Sequence, residues 1–178
     1  MHRQTATLKS GEIVEGDFFD TNDVVTLIDI FRQIQGINAT LKSLKGRAIN
    51  VPDVVSEGLF AHYFNAIRTN DETAAGSYDC VSLTGGLGIQ VKSSSIPDDL
   101  TSFGPKSTWD ELYFMDFSSG VDAKVYKIPN SSVYNMVLNK KKNETFVDQQ
   151  NQGRRPRFSI QESIIKPQGL KPIMVIPL

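Results

Sequence analysis

Val24, Leu27, Ile28, Phe31 and Ile34 recur at helical spacing behind Thr21-Asn22-Asp23, a run with N-cap chemistry. The pattern predicts a core-facing helix that ends at Gly36. From Asn38 to Arg47 the spacing breaks at Gly46, and Lys42, Lys45 and Arg47 leave two readings, a short helix with a loop or an exposed connection. Its three cations suit either phosphates or plain solvent. Val55, Leu59, Phe60, Tyr63, Phe64 and Ile67 predict a second helix from Pro52 to Arg68, apolar on most sides and therefore buried. Pro52 fits the first turn. Met1 to Asp20 is mixed and polar, and reads as an arm or a short strand.

Period-two alternation begins farther on. Ser77 to Leu83 and Ile89 to Ser95 alternate apolar and polar residues, with Thr84-Gly85-Gly86-Leu87-Gly88 between them. This predicts a hairpin, entered from a polar loop at Asn70–Gly76 and left by a turn at Pro97-Asp98-Asp99. Trp109 to Phe117 has the aromatic density of a central strand, and Val121 to Ile128 makes a second one after Ser118-Ser119-Gly120. Pro129-Asn130-Ser131 starts a helix containing Val133, Met136 and Val137. A short helix at Phe158–Ile164 and a last strand at Ile173–Ile176 follow. Helix, helix, hairpin, hairpin, helix is an α/β order with a mixed central sheet flanked by helices. A length of 178 residues suits one domain, 1–178.

The hairpin is where the chemistry gathers. Side chains two apart on a strand share a face, so Gln90 and Lys92 point the same way. Antiparallel pairing across a turn near Gly86 puts Asp79 opposite Lys92 or its neighbour. A carboxylate, an amide oxygen and an ammonium then converge. The two oxygens suit a hard divalent cation such as Mg²⁺, with Mn²⁺ as a substitute. The lysine can orient or deprotonate water, or neutralise charge growing on a phosphate. The same residues also suit an ordinary solvated edge hairpin. Hydroxyls at Ser93, Ser94 and Ser95 can bond a phosphate or cap a turn. Glu57 shares its helix face with Phe60, Ala61 and Phe64, where a carboxylate is costly unless paired or bound to metal. It either pairs with Arg68 or a lysine, or joins a metal site. No G-x-x-x-x-G-K-[ST] or G-x-G-x-x-G spacing exists, which excludes a phosphate loop and a dinucleotide fingerprint.

Asp79 followed by Gln90-Val91-Lys92 resembles the core of the PD-(D/E)XK nuclease superfamily, an acid on one strand and acid-x-lysine on the next. The chain departs where Ser77-Tyr78 replaces a frequent proline and Gln90 replaces the second carboxylate, a change some restriction endonucleases share. The likeness spans roughly Pro52 to Lys140 and is to small Type II restriction endonucleases. It implies a restriction endonuclease-like fold and Mg²⁺-assisted hydrolysis of both strands of duplex DNA at a short palindromic site. It implies metal ligation by Asp79, the Gln90 oxygen, the Val91 carbonyl and Glu57, with Lys92 positioning water. It also implies a homodimer, a cognate DNA methyltransferase in the same system, and a cytoplasmic protein.

Composition narrows this further. The net charge of −1 gives no global basic signal, so DNA contact must come from clustering. Residues 139–158 supply it: Lys140, Lys141 and Lys142, then Gln149 to Gln152, then Arg154, Arg155 and Arg157. Cations meet phosphates, and Arg, Gln and Asn read base edges. A surface loop is the alternative. The lone Cys80 forms no internal disulfide and fits a buried small residue in a reducing compartment. With only His2 and His62, a zinc site or a Ser-His-Asp triad is not expected. No apolar run approaches the ~20 residues of a membrane helix, and no signal peptide opens the chain. Two rival functions remain. A junction-resolvase-like, structure-selective nuclease would share the site but ignore sequence. A non-catalytic DNA- or protein-binding module would treat Asp79, Gln90 and Lys92 as surface. Metal-dependent nicking separates the module from the nucleases, and cutting at one repeated sequence separates the nucleases from each other.

Overall fold

Residues 1–69 and 78–178 are described by the computed structural model. The loop expected at Asn70–Gly76 and the strand start at Ser77 lie outside them. At the start of the chain, β1 (His2–Thr7) and β2 (Ile13–Phe18) form an antiparallel hairpin, where an arm or one short strand was expected. Its signal is faint because Ala6 and Val14 are buried among mostly polar neighbours. Helix α1 (Thr21–Ser43) is capped by Asp20, which accepts the Asn22 and Asp23 N–H groups, while Asp23 accepts the Asp20 N–H. It does not stop at Gly36. A glycine inside a helix costs about 1 kcal/mol against alanine, too little to break a helix anchored by buried Leu27 and Phe31. The segment after Asn38 is therefore largely the end of α1.

Helix α2 (Asp53–Tyr63) is shorter than the apolar stripe suggested. Asn65 takes a left-handed φ of 50°, which asparagine tolerates, and the chain turns back as β3 (Ala66–Arg68). Next come β4 (Cys80–Ser82), β5 (Gly88–Ser94), β6 (Thr101–Ser102), β7 (Glu111–Asp116) and β8 (Asp122–Ile128). Helix α3 (Asn130–Tyr134) stops before Met136, and Val137 belongs instead to β9 (Val137–Asn139). Then follow β10 (Glu144–Thr145), α4 (Phe146–Asn151) and β11 (Arg157–Phe158). The expected helix at Phe158–Ile164 is a π-helical segment at Gln161–Ile165, followed by α5 (Lys166–Gln168). Strand β12 (Met174–Pro177) ends the chain close to where it was expected.

The main sheet has the order β1-β2-β3-β4-β5-β7-β8-β12. Its β5–β7 pair is parallel and its other pairs antiparallel, which makes the predicted mixed α/β sheet. Strand β7 feeds both faces. Tyr113 and Met115 meet Phe31, Leu59 and Phe60 of α1 and α2. Leu112 and Phe114 meet Phe103, Phe146, Phe158 and Ile160 on the other side. A strand buried on both faces is held rigidly, and so is its parallel neighbour β5.

Candidate functional site

Strand β5 is covered on one side by β7 along its length and on the other by β4 only at Gly88 and Ile89. Beyond Ile89 no strand of the described residues pairs with that edge, and a pocket of about 270 Å³ opens there. Asp53, Glu57, Asp79, Val91, Lys92, Ser93, Leu100, Thr101 and Ser102 line it. Four segments contribute: the first turns of α2, the residue before β4, the middle of β5, and β6 with the residue before it.

Asp79 is fixed from both sides. Its N–H donates to the Ile89 carbonyl (2.9 Å), and its carbonyl accepts from the Thr69 N–H (3.0 Å). The register Cys80↔Ile89 sets it opposite Gln90, where Lys92 or its neighbour was expected. The turn is centred nearer Gly85 than Gly86. Gly86 is pinned elsewhere: its carbonyl accepts from the Lys9 N–H, and a side chain there would collide with the Thr7 carbonyl. The convergence survives the change of register. Asp79 Oδ2 accepts the Val91 N–H at 2.8 Å and the Gln90 amide, and lies 3.8 Å from Lys92 Nζ. The Lys92 ammonium is 5.9 Å from the centre of the Phe103 ring. Burial pushes the Asp79 carboxyl up, while Lys92 and the Val91 N–H pull it down.

Glu57 takes the paired reading and also faces the pocket. Its Oε2 accepts from Arg68 Nε at 2.6 Å, and it lines the pocket. Burial and then the charge of Asp79 raise its pKa to about 8, against the opposing pull of Arg68. Asp53 is a pocket carboxylate that the sequence reading missed. The signal was available, since Asp53 and Glu57 are four apart on one helix and so share a face. Ser93 Oγ donates to the buried Ser56 Oγ (3.0 Å) and ties β5 to α2.

Other expected residues lie apart from this centre. Gln90 is buried behind Asp79 and is absent from the pocket wall; its amide nitrogen, not its oxygen, faces the carboxylate. Ser94 corrects the phosphate reading. It is buried, and its hydroxyl donates to the Ile96 carbonyl and accepts the Ile96 N–H, so it caps a turn. Lys140, Lys141 and Lys142 are exposed around the β9–β10 turn, and Arg154, Arg155 and Arg157 are exposed too. Arg154 pairs with Glu144 at 2.8 Å. Arg157 of β11 is the register partner of Ser102 in β6, a pocket residue, so this end of the basic segment is joined to the pocket rim. Gln150 is spent on the Gly104 and Ser107 carbonyls.

The donor set is all oxygen. His62 Nδ1 is bonded to the Phe19 carbonyl, and Cys80 is a buried free thiol. Among the described residues no three Asp, Glu, His or Cys groups gather closely enough to hold a metal ion. The three pocket carboxylates surround a space rather than forming a closed cage.

The Bsp6I restriction endonuclease family matches residues 19–167, a span that holds every residue of the pocket and the basic segment. The chain is 30% identical over 159 residues, covering 80% of each chain, to the Type II restriction enzyme Bsp6I of Bacillus sp. (strain RFL6). No solved structure matches the chain.

Proposed function

Because the chain belongs to the Bsp6I restriction endonuclease family, and is a Type II restriction endonuclease, we propose that the pocket at the bare edge of β5 is where it hydrolyses DNA. The convergence of Glu57, Asp79 and Lys92 from three elements on one pocket carries this reading. A buried carboxylate, Glu57, whose ionisation is made costlier by the charge of the half-buried Asp79, suits a hard cation between the two. Glu57, Asp79 and the Val91 carbonyl would hold Mg²⁺, or Mn²⁺ in its place. The Gln90 oxygen would join only after the amide turns away from its present bond to Asp79. The cation would neutralise charge growing on the scissile phosphate. Lys92, next to Asp79, would hold and orient the attacking water.

Residues 139–158 would contact the DNA, with Lys140, Lys141, Lys142, Arg154 and Arg155 on phosphates and Arg157 nearest the pocket. Residues 1–178 would act as one nuclease domain. One carboxylate–lysine pocket among the described residues and two strands to cut favour a homodimer on a short palindromic site, because protein and site then share a two-fold axis. A cognate methyltransferase and a cytoplasmic location complete the reading; among the described residues no helix is long and apolar enough to cross a membrane. The test is a plasmid digest in Mg²⁺, in Mn²⁺ and in chelator. Discrete, repeatable fragments with either metal and none in chelator are expected. Full cutting in chelator would remove the metal, and cutting only at branched DNA would remove the sequence-specific function.

A further inference from the structure

Helix α1 carries two apolar stripes. Val24, Leu27 and Phe31 are buried in the body of the protein. Ile30, Ile34, Ile37 and Leu41, with the C-cap Leu44, form a second stripe. Their spacing of four, three, four and three residues is the heptad spacing with which one helix packs along another. Ile30, Ile37 and Leu44 are 36%, 49% and 74% exposed, and Ile34 and Leu41 are half-buried. None of the five belongs to the three cores formed by the described residues. Ile49, 46% exposed, is held beside the stripe by Asn38, whose side chain bonds both its N–H (2.7 Å) and its carbonyl (2.8 Å).

Scattered exposed hydrophobics are ordinary, but a periodic row is not. Beside the middle of the row, Gln33, Asn38 and Thr40 are uncharged, and the cations Lys42 and Lys45 stand only at its C-terminal end. A stripe of this kind matches a copy of itself, which is what a two-fold contact requires, and depletion of charge marks the centre of such contacts. With one carboxylate–lysine pocket among the described residues, a second copy would let both strands be cut in a single encounter.

We propose that the second stripe of α1 is the contact between two copies of this chain. This rests on the homodimer reading given above and adds where the two copies meet. The contact also lies close to the chemistry. From Leu44 the chain runs to the first two turns of α2, which carry Asp53 and Glu57. On the way, Asn50 Oδ1 accepts from the Ser95 N–H (2.7 Å) and hydroxyl (3.0 Å) just past β5. Pairing through α1 therefore places a pocket on each side of the two-fold axis by a short, hydrogen-bonded connection.

The experiment is sedimentation of the full chain over a wide range of concentration, with Ile37→Glu and Val25→Glu compared. Val25 is 64% exposed on the same helix but outside the stripe. Expected are a dimer for wild type and Val25→Glu, and at least about 100-fold weaker association for Ile37→Glu, from burying a charge twice at the contact. Far-UV dichroism should be unchanged in both. Ile37→Cys gives a second reading that needs no loss of stability: a short bis-maleimide should join two copies covalently, since Cys80 is buried. A wild-type dimer that Ile37→Glu does not weaken, or that Ile37→Cys does not cross-link, overturns the contact and leaves the homodimer standing. A wild-type monomer at every concentration overturns both.

Discussion

Gln90→Glu tests the centre of the site. The wild-type amide donates to Asp79 Oδ2, so the substitution removes a donor and sets a carboxylate in its place. A hydrogen bond to a charged group contributes about 1.5–3 kcal/mol. Two unit charges about 4 Å apart repel by about 4 kcal/mol at the effective dielectric of a protein near its surface. Lys92, 3.8 Å from Asp79, offsets part of this. The metal-free variant should therefore be destabilised by roughly 2–4 kcal/mol where both carboxylates are ionised. The pair can escape by sharing a proton, which raises its folded affinity for protons. The loss should accordingly be small near pH 5 and grow as pH rises. A divalent cation favours the doubly ionised pair, so Mn²⁺ should restore more stability to Gln90→Glu than to wild type, by RT ln(1 + [Mn²⁺]/Kd) in each. Urea unfolding at pH 5 and pH 8.5, in chelator and in Mn²⁺, measures all four corners. The same offset from wild type at both pH values, or equal stabilisation of both proteins by Mn²⁺, would refute the placement of Gln90 beside a cation-binding Asp79.

Three further outcomes follow from the same geometry. Asp79→Asn and Lys92→Ala should each lower cutting by at least about a thousandfold while specific DNA binding stays within a few-fold, read by single-turnover cleavage and a binding assay in Ca²⁺; cutting at the wild-type rate would remove either residue from the chemistry. Glu57, with a folded pKa of about 8 against 4.5, binds its proton more tightly when folded, so this carboxyl lowers wild-type stability progressively from about pH 4.5 to pH 8. Glu57→Gln lacks the titration and, in chelator, should match wild type near pH 5 and exceed it by a few kcal/mol, about 5 at most, near pH 9; a constant difference across pH would sink this. Alanine at Lys140, Lys141 or Arg155 should weaken binding to every sequence and lower the salt slope by about one unit each; Arg154→Ala should do less, since Arg154 must first leave Glu144, and equal effects would contradict that pairing.

The sequence carried the site further than the fold around it. The alternation around Asp79 and Gln90-Val91-Lys92 marks two strands wherever their partners lie, so three interacting side chains were legible without the correct register. Register itself was not, because the turn is anchored by the β1–β2 hairpin, whose own signal is two buried apolar side chains, Ala6 and Val14, among mostly polar ones. Strand β3 was hidden for a different reason. Ala66 and Ile67 continue the apolar stripe of α2, and only the left-handed Asn65 separates helix from strand. Asp53 was missed because Glu57 was judged by its apolar neighbours rather than by what stood one helical turn before it. Nor does any local pattern in residues 95–110 show that β5 and β7 pair in parallel; that is a property of the whole sheet.

Charge explains why such a centre sits on a bare strand edge. With all of them ionised, Asp53, Glu57 and Asp79 carry three negative charges against the two positive charges of Lys92 and Arg68, leaving one negative charge in excess. A pocket in this state repels a phosphate. On the reading proposed above, one divalent cation turns the excess to one positive charge, and the same pocket then attracts the phosphate. Cation and DNA should therefore each strengthen the other's binding, reciprocally, because the coupling is one free energy seen from two sides. An interior strand could not serve, since its ladder would be full and no phosphodiester backbone could approach it. β4 begins only at Cys80, and among the described residues it leaves the edge of β5 beyond Ile89 open. Arg157 pairs with the rim residue Ser102 on a short ribbon, which brings a cation's backbone to that side of the pocket.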